Sequence, residues 1–467
     1  MKTFKKIALA AACTAMLGGV TMQAQAANWL MLQGTESPGE GARARVWGFL
    51  QPTYLTVDGT KLPAAGWAGQ NAQFNVHQPD LSSESTFQMM RARVGIRGTA
   101  LPLDSNVNYF IMAEYGNNGI TQPGGGSGSV KLADATVTLN HIDGMRIRLG
   151  QMKIPMSEEL YQGIMTWNYI NMTNIGNMQL IERPFWTDGN TPCLATSQDA
   201  YKQYCYGDAQ TQFRSGANAV RDQGIQLFDT FKSDTWEHSY AILYGNGGVN
   251  KDNRDGEFDT TVYWSSEKVF GGKGPWRDHM KFYLWNTDGK RTLYDSALLN
   301  TAGTSQQEAE KVYDRKLSGV GFTYQRNKYR VWGEYIKAEG MIFNGSTGGA
   351  VPGALNNAGT EVSQFLLTPT GESDGGYIDF GYKVTPKLEL DIRYDWYNRV
   401  TNLAAAAERK FETTTLGMQY WFNRKSKLLL NYEIRSMEAP ALAATHAANQ
   451  IADSIDDKIS AQVFVLF

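Results

Sequence analysis

Apolar and polar residues alternate one by one in many short segments of this chain. Apolar residues fill every second position from Leu388 to Trp396, and Glu389, Asp391 and Arg393 lie between them. Successive side chains of a β-strand point to opposite faces, so each segment predicts a strand with one apolar and one charged face. An apolar face toward lipid and a charged face toward water would satisfy both sets. A soluble two-sheet sandwich with the charged face outermost is the alternative.

Sixteen such segments occur, and the connections between them alternate between short and long. The segments are 44–56, 86–99, 106–116, 130–140, 145–153, 219–230, 235–245, 257–268, 277–287, 313–326, 329–341, 374–383, 388–399, 410–422, 427–436 and 457–467. The long connections include 57–85, 154–218, 288–312, 342–373 and 437–456. Short periplasmic turns and long outer loops are the expected asymmetry of outer-membrane barrels. The pattern therefore predicts an all-β fold: a transmembrane antiparallel β-barrel of about sixteen strands over 44–467, with both termini in the periplasm.

The last strand ends in an aromatic residue. Ile459, Val463, Val465 and Phe467 share one face, and Gln462 lies on the other. Alternation that ends in a terminal Phe resembles the closing strand of an outer-membrane barrel. Phe467 is therefore the expected assembly signal for the barrel-assembly machinery. An ordinary amphipathic edge strand is the alternative.

The first 26 residues have the order of a secretory signal peptide. Three lysines precede an apolar stretch from Ile7 to about Met22, and Ala24-Gln25-Ala26 follows it, so cleavage is expected after Ala26. A lipoprotein signal ending at Cys13 would have too short an apolar core. Residues 27–43 are expected to form a periplasmic segment. Its apolar residues Trp29–Leu32 are expected to be exposed there and able to dock at the lower rim of the barrel or at a subunit contact.

The charge balance excludes a nucleic-acid partner. Without the three leader lysines, 41 basic and 46 acidic residues remain, so the exported chain lacks the excess of basic residues that binding to nucleic acid requires. No apolar run of ~18 residues follows the leader, so no transmembrane helix is expected. Together with the strand pattern, these features predict export to the outer membrane of a Gram-negative cell, in contact with its lipid.

Arginines alternate with apolar residues in two of the segments. Arg91, Arg93 and Arg97 lie opposite Met90, Ala92, Val94 and Ile96, and Arg146 and Arg148 lie opposite Met145, Ile147 and Leu149. Arginine at the bilayer midplane would cost ~2–4 kcal/mol, so these five side chains, with Lys153 beyond them, are expected to line the lumen. Fixed guanidinium groups replace the hydration of an anion without losing their own charge. The alternative is that they pair with Glu114 and Asp134 and only brace the wall.

Several short motifs resemble one family of porins. The motifs are Phe87–Gly98, Asp134-Ala135, Arg146–Lys153, Leu180–Pro184 and Arg221–Leu227. In order and spacing they are similar to the phosphate-selective porin O and porin P family. The resemblance implies a sixteen-stranded barrel, a homotrimer and passive uptake of anions through an arginine-lined channel. It also places Glu182 and Arg183 near the end of a long third loop that constricts the pore.

The connection 154–218 is the expected constriction loop. Its 65 residues far exceed what a connection between strands requires. It contains six acidic and three basic residues, a net of −3, which favours a weaker or broader anion preference over strict phosphate selectivity. Its aromatic residues, including Trp167 and Tyr169, either line a path for an organic solute or anchor the loop to the wall.

Cysteine and motif content add one structural prediction and no catalytic one. Cys193 and Cys205 both lie in the long loop, and an oxidising compartment favours a disulfide between them over free thiols or intermolecular pairing. The sequence has no motif for haem, a nucleotide, a nucleophilic serine or zinc, and no histidine pair has metal spacing. The sequence therefore predicts a passive porin for small solutes rather than an enzyme. The predicted porin prefers phosphate, other oxyanions or carboxylates and has no cofactor. General or organic-solute diffusion, a barrel that sheathes a periplasmic redox or assembly partner, and an outer-membrane hydrolase are the alternatives.

Overall fold

Sixteen long strands form a single antiparallel sheet that closes on itself. The computed structural model describes residues 28–36, 44–57, 85–100, 103–116, 130–181, 204–206, 220–247, 256–272, 274, 276–295, 310–344, 366–368, 370–399, 401, 408–446, 449 and 456–467. The strands are β1 Arg45–Val57, β2 Ser85–Ala100, β3 Asp104–Glu114, β4 Lys131–Ile142, β5 Met145–Lys153, β6 Arg221–Ser233, β7 Trp236–Gly245, β8 Asp259–Gly271, β9 Asp278–Asp295, β10 Glu310–Arg326, β11 Tyr329–Glu339, β12 Glu372–Lys383, β13 Leu388–Arg399, β14 Arg409–Asn423, β15 Ser426–Glu438 and β16 Lys458–Leu466. Each strand pairs with the next, and β1 pairs with β16, so the predicted sixteen-stranded barrel is confirmed.

A few shorter elements accompany the barrel. Tyr204–Tyr206 pairs with the end of β9, and Ile342–Asn344 pairs with Leu366–Thr368 as a separate hairpin. The helical elements are α1 Trp29–Leu32, α2 Glu158–Tyr161, a 3₁₀ turn Ile164–Thr166 and a π turn Gly176–Leu180. Among the residues described, no helix is both long enough and apolar enough to cross a membrane.

The two faces of the sheet differ as the alternation predicts. On β13, Leu390 and Ile392 are exposed on the outside, whereas Asp391, Arg393 and Asp395 are buried inside. The outer face of the other strands is similarly apolar, with exposed Val94, Ile96, Ile111, Val137, Leu149, Val262, Leu284, Ile378, Leu416 and Ile434. An apolar outer band and a polar interior suit a barrel in lipid.

Tight turns join the strands at one end of the barrel. The turns after β4, β6 and β10 have two residues each. They include a residue with positive φ: Gly144 at 76°, Asp234 at 56° and Asn327 at 56°. Glycine, asparagine and aspartate tolerate this conformation, which two-residue hairpins require. The strands lengthen toward the opposite end, where the long connections lie.

Two details of the strand prediction are wrong. The strand expected at 277–287 extends to Asp295, and the strand expected at 313–326 begins at Glu310. The inward alternation continues past residue 287, but Asp288 and Lys290 point outward, so the outer face no longer shows apolar residues in the sequence. Met90 was expected to face lipid but is fully buried. It is the extra residue of a bulge opposite Pro52, which has no N–H to donate to the ladder.

Candidate functional site

The described part of the long third connection folds into the barrel. Residues 154–181, here called the inner loop, are nearly all buried. Strand β5 ends at Lys153, two residues before Pro155, so the chain leaves the wall early. Residues 154–181 of this connection therefore fold inward, and the role of the connection 154–218 as a constriction stays a prediction. Glu182, Arg183 and Cys193 lie outside the described residues, and of Cys205 only the backbone is described.

The inner loop is anchored to the wall formed by β9 to β16. Ser157 Oγ donates to Glu334 Oε2 at 2.9 Å, and Tyr169 OH donates to Asp379 Oδ1 at 2.6 Å. Further along, the Ile170 amide donates to Asn431 Oδ1 at 2.7 Å. Trp167 and Tyr169 are both buried, and the Trp167 carbonyl accepts from Lys427 Nζ of β15 at 2.6 Å. Both residues therefore anchor the loop to the wall.

An acidic wall stands behind the inner loop. Arg330 on β11 binds Asp379, Glu389 and Asp391, with Nε 3.0 Å from Glu389 Oε1, so three carboxylates share one guanidinium. Across β11 to β13, five buried carboxylates accompany three buried arginines. The carboxylates are Glu334, Asp379, Glu389, Asp391 and Asp395, and the arginines are Arg330, Arg393 and Arg399.

A carboxylate of the loop itself lies against this wall. Glu159 Oε1 is 3.3 Å from Arg393 Nη1, and the Glu159 carboxylate also accepts hydrogen bonds from the Thr173 amide and hydroxyl. Burial raises the pKa of Glu159 above its ordinary value, and the Arg393 guanidinium opposes that rise. The loop is thereby tied to the acidic wall by a charged contact of its own.

The segment Asn28–Glu36, here called the inner segment, lies inside the barrel against β2, β3 and β5 to β7. Asn28 Nδ2 donates to Thr230 Oγ1 at 3.0 Å, and the Glu36 amide donates to Asn108 Oδ1 at 2.8 Å. Trp29, Leu30 and Met31 are buried, so the expectation that they are exposed in the periplasm is wrong. Polar side chains on the inward face of the neighbouring strands bind the backbone of this segment. The order of apolar and polar residues along the sequence does not show that these partners lie nearby.

The inner segment and the inner loop touch each other. Trp29 Nε1 donates to Glu158 Oε1 at 2.8 Å, and Gln33 Nε2 donates to the Tyr161 carbonyl at 3.2 Å. The segment contacts the β2–β7 wall and the loop contacts the β9–β16 wall. Together they bridge the lumen from one wall to the other.

All six cations predicted to line the lumen lie on the inner face of the β2–β5 wall. Arg91, Arg93, Arg146, Arg148 and Lys153 are buried, and the Arg97 side chain is 13% exposed. Some are braced: Arg93 Nε is 2.6 Å from Glu114 Oε2, and Arg146 pairs with Asp229. Arg97 pairs with Glu36 of the inner segment.

Asp134 has a different partner from those expected. Arg221 on β6 binds it in a forked contact, with Nη2 3.1 Å from Asp134 Oδ2. In the sequence Arg221 belongs only to the Arg221–Leu227 motif, and the strand pattern does not predict its place on the wall. Asp222, Gln223 and Gly224 follow Arg221. Because none of them is an apolar residue of the outer face, the alternation of β6 is not visible at this end of the strand.

Three of the cations are bound by neutral groups. Arg91 Nη1 donates to Gln51 Oε1 at 3.1 Å, and its guanidinium stacks 4.7 Å from the Trp167 ring. Arg148 donates to Thr138, Gln226 and the Leu30 carbonyl. Lys153 Nζ donates to carbonyls of the inner loop, 3.0 Å from Leu160 O and 2.8 Å from Gln162 O. No carboxylate in the described parts of the chain lies within 4 Å of these three cationic groups, so their charges are not neutralised by direct pairing.

The β2–β6 wall therefore has an excess of positive charge. Its buried or nearly buried cations are Arg91, Arg93, Arg97, Arg146, Arg148, Lys153 and Arg221, and its buried carboxylates are Glu114, Asp134, Asp222 and Asp229. Seven cations thus oppose four carboxylates, while the β11–β13 wall has the opposite imbalance. The lumen has a basic side and an acidic side.

Comparison with known proteins agrees with this architecture. The family model for phosphate-selective porins O and P matches residues 68–448. The chain belongs to this family. It is therefore an outer-membrane β-barrel porin, and proteins of this kind are channels. No curated protein matches the sequence of this porin.

Solved outer-membrane channels are similar in fold to this porin at low sequence identity. An anion-selective porin from Comamonas acidovorans is 12% identical, with a TM-score of 0.48 over 92% of this chain and 100% of that chain. The outer-membrane channel DcaP of Acinetobacter baumannii is 10% identical, with a TM-score of 0.46 over 93% and 99%. OmpF of Salmonella typhi, in complex with daunomycin, is 12% identical, with a TM-score of 0.48 over 91% and 97%. The anion selectivity belongs to the Comamonas porin, and similarity in fold does not transfer it to this chain.

Proposed function

We propose that this porin conducts small solutes passively and prefers anions, with phosphate, other oxyanions and carboxylates as the solute class. The proposal rests on three wall cations, Arg91, Arg148 and Lys153, whose hydrogen-bond acceptors among the described residues are all neutral. Paired arginines such as Arg93 add little net field, whereas these three cationic groups have no carboxylate within 4 Å among the described residues. A fixed positive field in a low-dielectric channel raises the local concentration of anions.

Arg91 is the side chain best suited to touch a passing anion. It is 1% exposed, and its Nη2 has no hydrogen-bond partner among the described residues. A buried guanidinium nitrogen without an acceptor is costly, and an oxyanion would supply the missing acceptor. The Trp167 ring holds the guanidinium plane from one side. Arg91 and Trp167 of the inner loop would together form an anion contact.

Neutralising the unpaired cations tests the proposal. The double variant Arg91→Gln/Arg148→Gln removes two lumen charges and keeps long polar side chains. We expect its anion-to-cation permeability ratio, measured from reversal potentials in a KCl gradient, to fall below that of the wild type. The matched control Lys316→Gln/Lys410→Gln removes two charges from side chains that are 40% exposed and point away from the lumen. Equal ratios in both double variants would favour general diffusion over anion preference.

We also propose that this porin assembles as a homotrimer and that Phe467 acts in its assembly. The family relationship supports the trimer. The Phe467 amide and carbonyl exchange hydrogen bonds with Gly48 of β1 at 2.9 and 3.2 Å, so the terminal residue takes part in barrel closure. Cross-linking in intact outer membranes, followed by denaturing electrophoresis, would distinguish a trimer from a monomer. Deletion of Phe467 should lower the yield of folded barrel.

A further inference from the structure

Two arginines face each other where β1 and β2 approach the tight-turn end of the barrel. Arg45 and Arg97 are directly opposed in the β1–β2 register. Like charges directly opposite on neighbouring strands destabilise a sheet. Here one carboxylate binds both: Glu36 of the inner segment pairs with Arg97 and lies 3.2 Å from Arg45 Nη2. The two guanidinium groups therefore form an anion site that the chain's own carboxylate fills.

The inner segment supplies every hydrogen-bond acceptor that Arg97 has in the described structure. Arg97 Nη1 donates to the Leu32 carbonyl and Nη2 donates to the Thr35 carbonyl, both at 2.8 Å, while Nε donates to Glu36. If the segment left, all three nitrogens of a partly buried guanidinium would need other acceptors. A soluble anion of the same chemistry would provide them.

The segment also lies where it would obstruct the basic side of the lumen. Its Leu30 carbonyl accepts from Arg148 Nη2 at 2.9 Å, and its Met31 sulfur lies 3.6 Å from Arg146 Nη1. Through Trp29 and Gln33 it continues into the inner loop. A solute following the cations of β2 and β5 would have to displace this segment.

We propose that Arg45 and Arg97 form a carboxylate-binding site, that Glu36 occupies it as a tethered ligand, and that a free carboxylate competes with Glu36 and releases the inner segment. The ligand class is a small dicarboxylate, because two carboxylates can engage two guanidinium groups at once. A tethered group has a high effective concentration, of order millimolar, so competition requires at least millimolar free ligand. The inner segment is thus a plug that the permeating class of solute can itself remove.

The proposal builds on the proposed anion preference, but its test has a separate readout. Selectivity is measured from reversal potentials, whereas the plug is measured from conductance in symmetric KCl. A cation-selective channel whose conductance rises when the plug is removed would overturn the proposed function alone. An anion-selective channel without that rise would overturn the plug alone.

The first experiment compares single-channel conductance of the full-length porin and Glu36→Gln in planar bilayers. Removing the charge should shift the equilibrium toward the unplugged state by about tenfold or more, the effect of losing a hydrogen bond to a charged group. Conductance or open fraction should therefore rise in Glu36→Gln. The matched control Glu438→Gln, whose carboxylate is 60% exposed, should behave as wild type.

Adding succinate at the tight-turn side separates a tethered ligand from a merely structural contact. In the wild type, succinate should raise the current by displacing Glu36, and the neutral analogue succinamide should not. In Glu36→Gln the current should start high and not rise further. Unchanged basal conductance in Glu36→Gln, or equal responses to succinate in both proteins, would overturn the proposal.

A second variant keeps the test decisive if Glu36→Gln folds poorly. Deletion of residues 28–36 should yield a barrel with raised conductance, and its folding can be checked by the heat-dependent change in electrophoretic mobility. A synthetic peptide with the sequence Asn28–Glu36 should lower that conductance again, and the same peptide with Glu36→Gln should act more weakly. A folded deletion variant with wild-type conductance, or equal action of the two peptides, would contradict the proposal.

Discussion

The indole nitrogen of Trp29 donates a hydrogen bond of 2.8 Å to the carboxylate of Glu158, and this contact joins the inner segment to the inner loop. The same carboxylate oxygen accepts from Lys281 of β9 at 2.6 Å. One buried group thus links the N-terminal part of the chain, the loop and the barrel wall. Disturbing it should affect all three.

Replacing Trp29 by phenylalanine should loosen this junction. The ring volume is largely kept, but the N–H donor is lost, and a hydrogen bond to a charged group contributes ~1.5–3 kcal/mol. Glu158 retains Lys281, so we expect a loss near the lower end of that range. The temperature at which the folded band disappears on electrophoresis should fall by several degrees. The control Trp276→Phe, at a site 39% exposed on the outside, should melt as wild type, and equal melting of both variants would refute the junction.

Arg330→Gln should be far more destabilising. It would leave Asp379, Glu389 and Asp391 together without their shared cation, and breaking a buried ion pair costs ~3–5 kcal/mol. We expect a lower urea midpoint for unfolding from lipid vesicles and a less firmly held inner loop, since Tyr169 binds Asp379. Arg326→Gln, which removes an exposed arginine from the same hairpin, is the control. A midpoint within error of the control would show that the carboxylates are not held by Arg330.

The orientation of the barrel predicts where inserted epitopes reach the cell surface. Insertions within the long connections 58–84, 296–309 and 345–365 should be labelled on intact cells. Insertions at Asn327-Lys328 or Arg424-Lys425, in the tight turns, should be labelled only after permeabilisation. Labelling of intact cells at either tight turn would reverse the orientation.

The cysteine prediction is tested by alkylation. If Cys193 and Cys205 are bridged, denatured protein should take up no thiol reagent until it is reduced, and then two equivalents per mature chain. A disulfide that closes a loop of this size contributes ~3 kcal/mol in the chain-entropy model, so reduction should also lower the melting temperature if the loop is part of the folded core. Immediate uptake of two equivalents without reduction would remove the disulfide.

The fold was predictable from the sequence because strand alternation is a local property. Each residue of β13 identifies its own face. The arginines of β2 and β5 alternate with apolar residues in the same way and lie on the inner face, while their role in conduction stays a prediction. Partners were less predictable, because they depend on which strands and segments meet in space. The pairing of Asp134 with Arg221 and of Arg97 with Glu36 joins residues 87 and 61 positions apart. Trp29–Leu32 were expected to be exposed in the periplasm, because the linear pattern does not show that the barrel interior buries Trp29, Leu30 and Met31.

The reversal potential of the wild-type porin in a KCl gradient tests the proposed anion preference most directly. If the porin prefers anions, the chloride-to-potassium permeability ratio should be above one and should increase as the salt is diluted. At 0.01 M the Debye length is ~30 Å, so the charges of Arg91, Arg148 and Lys153 are then least screened. A ratio at or below one in dilute salt would contradict the account.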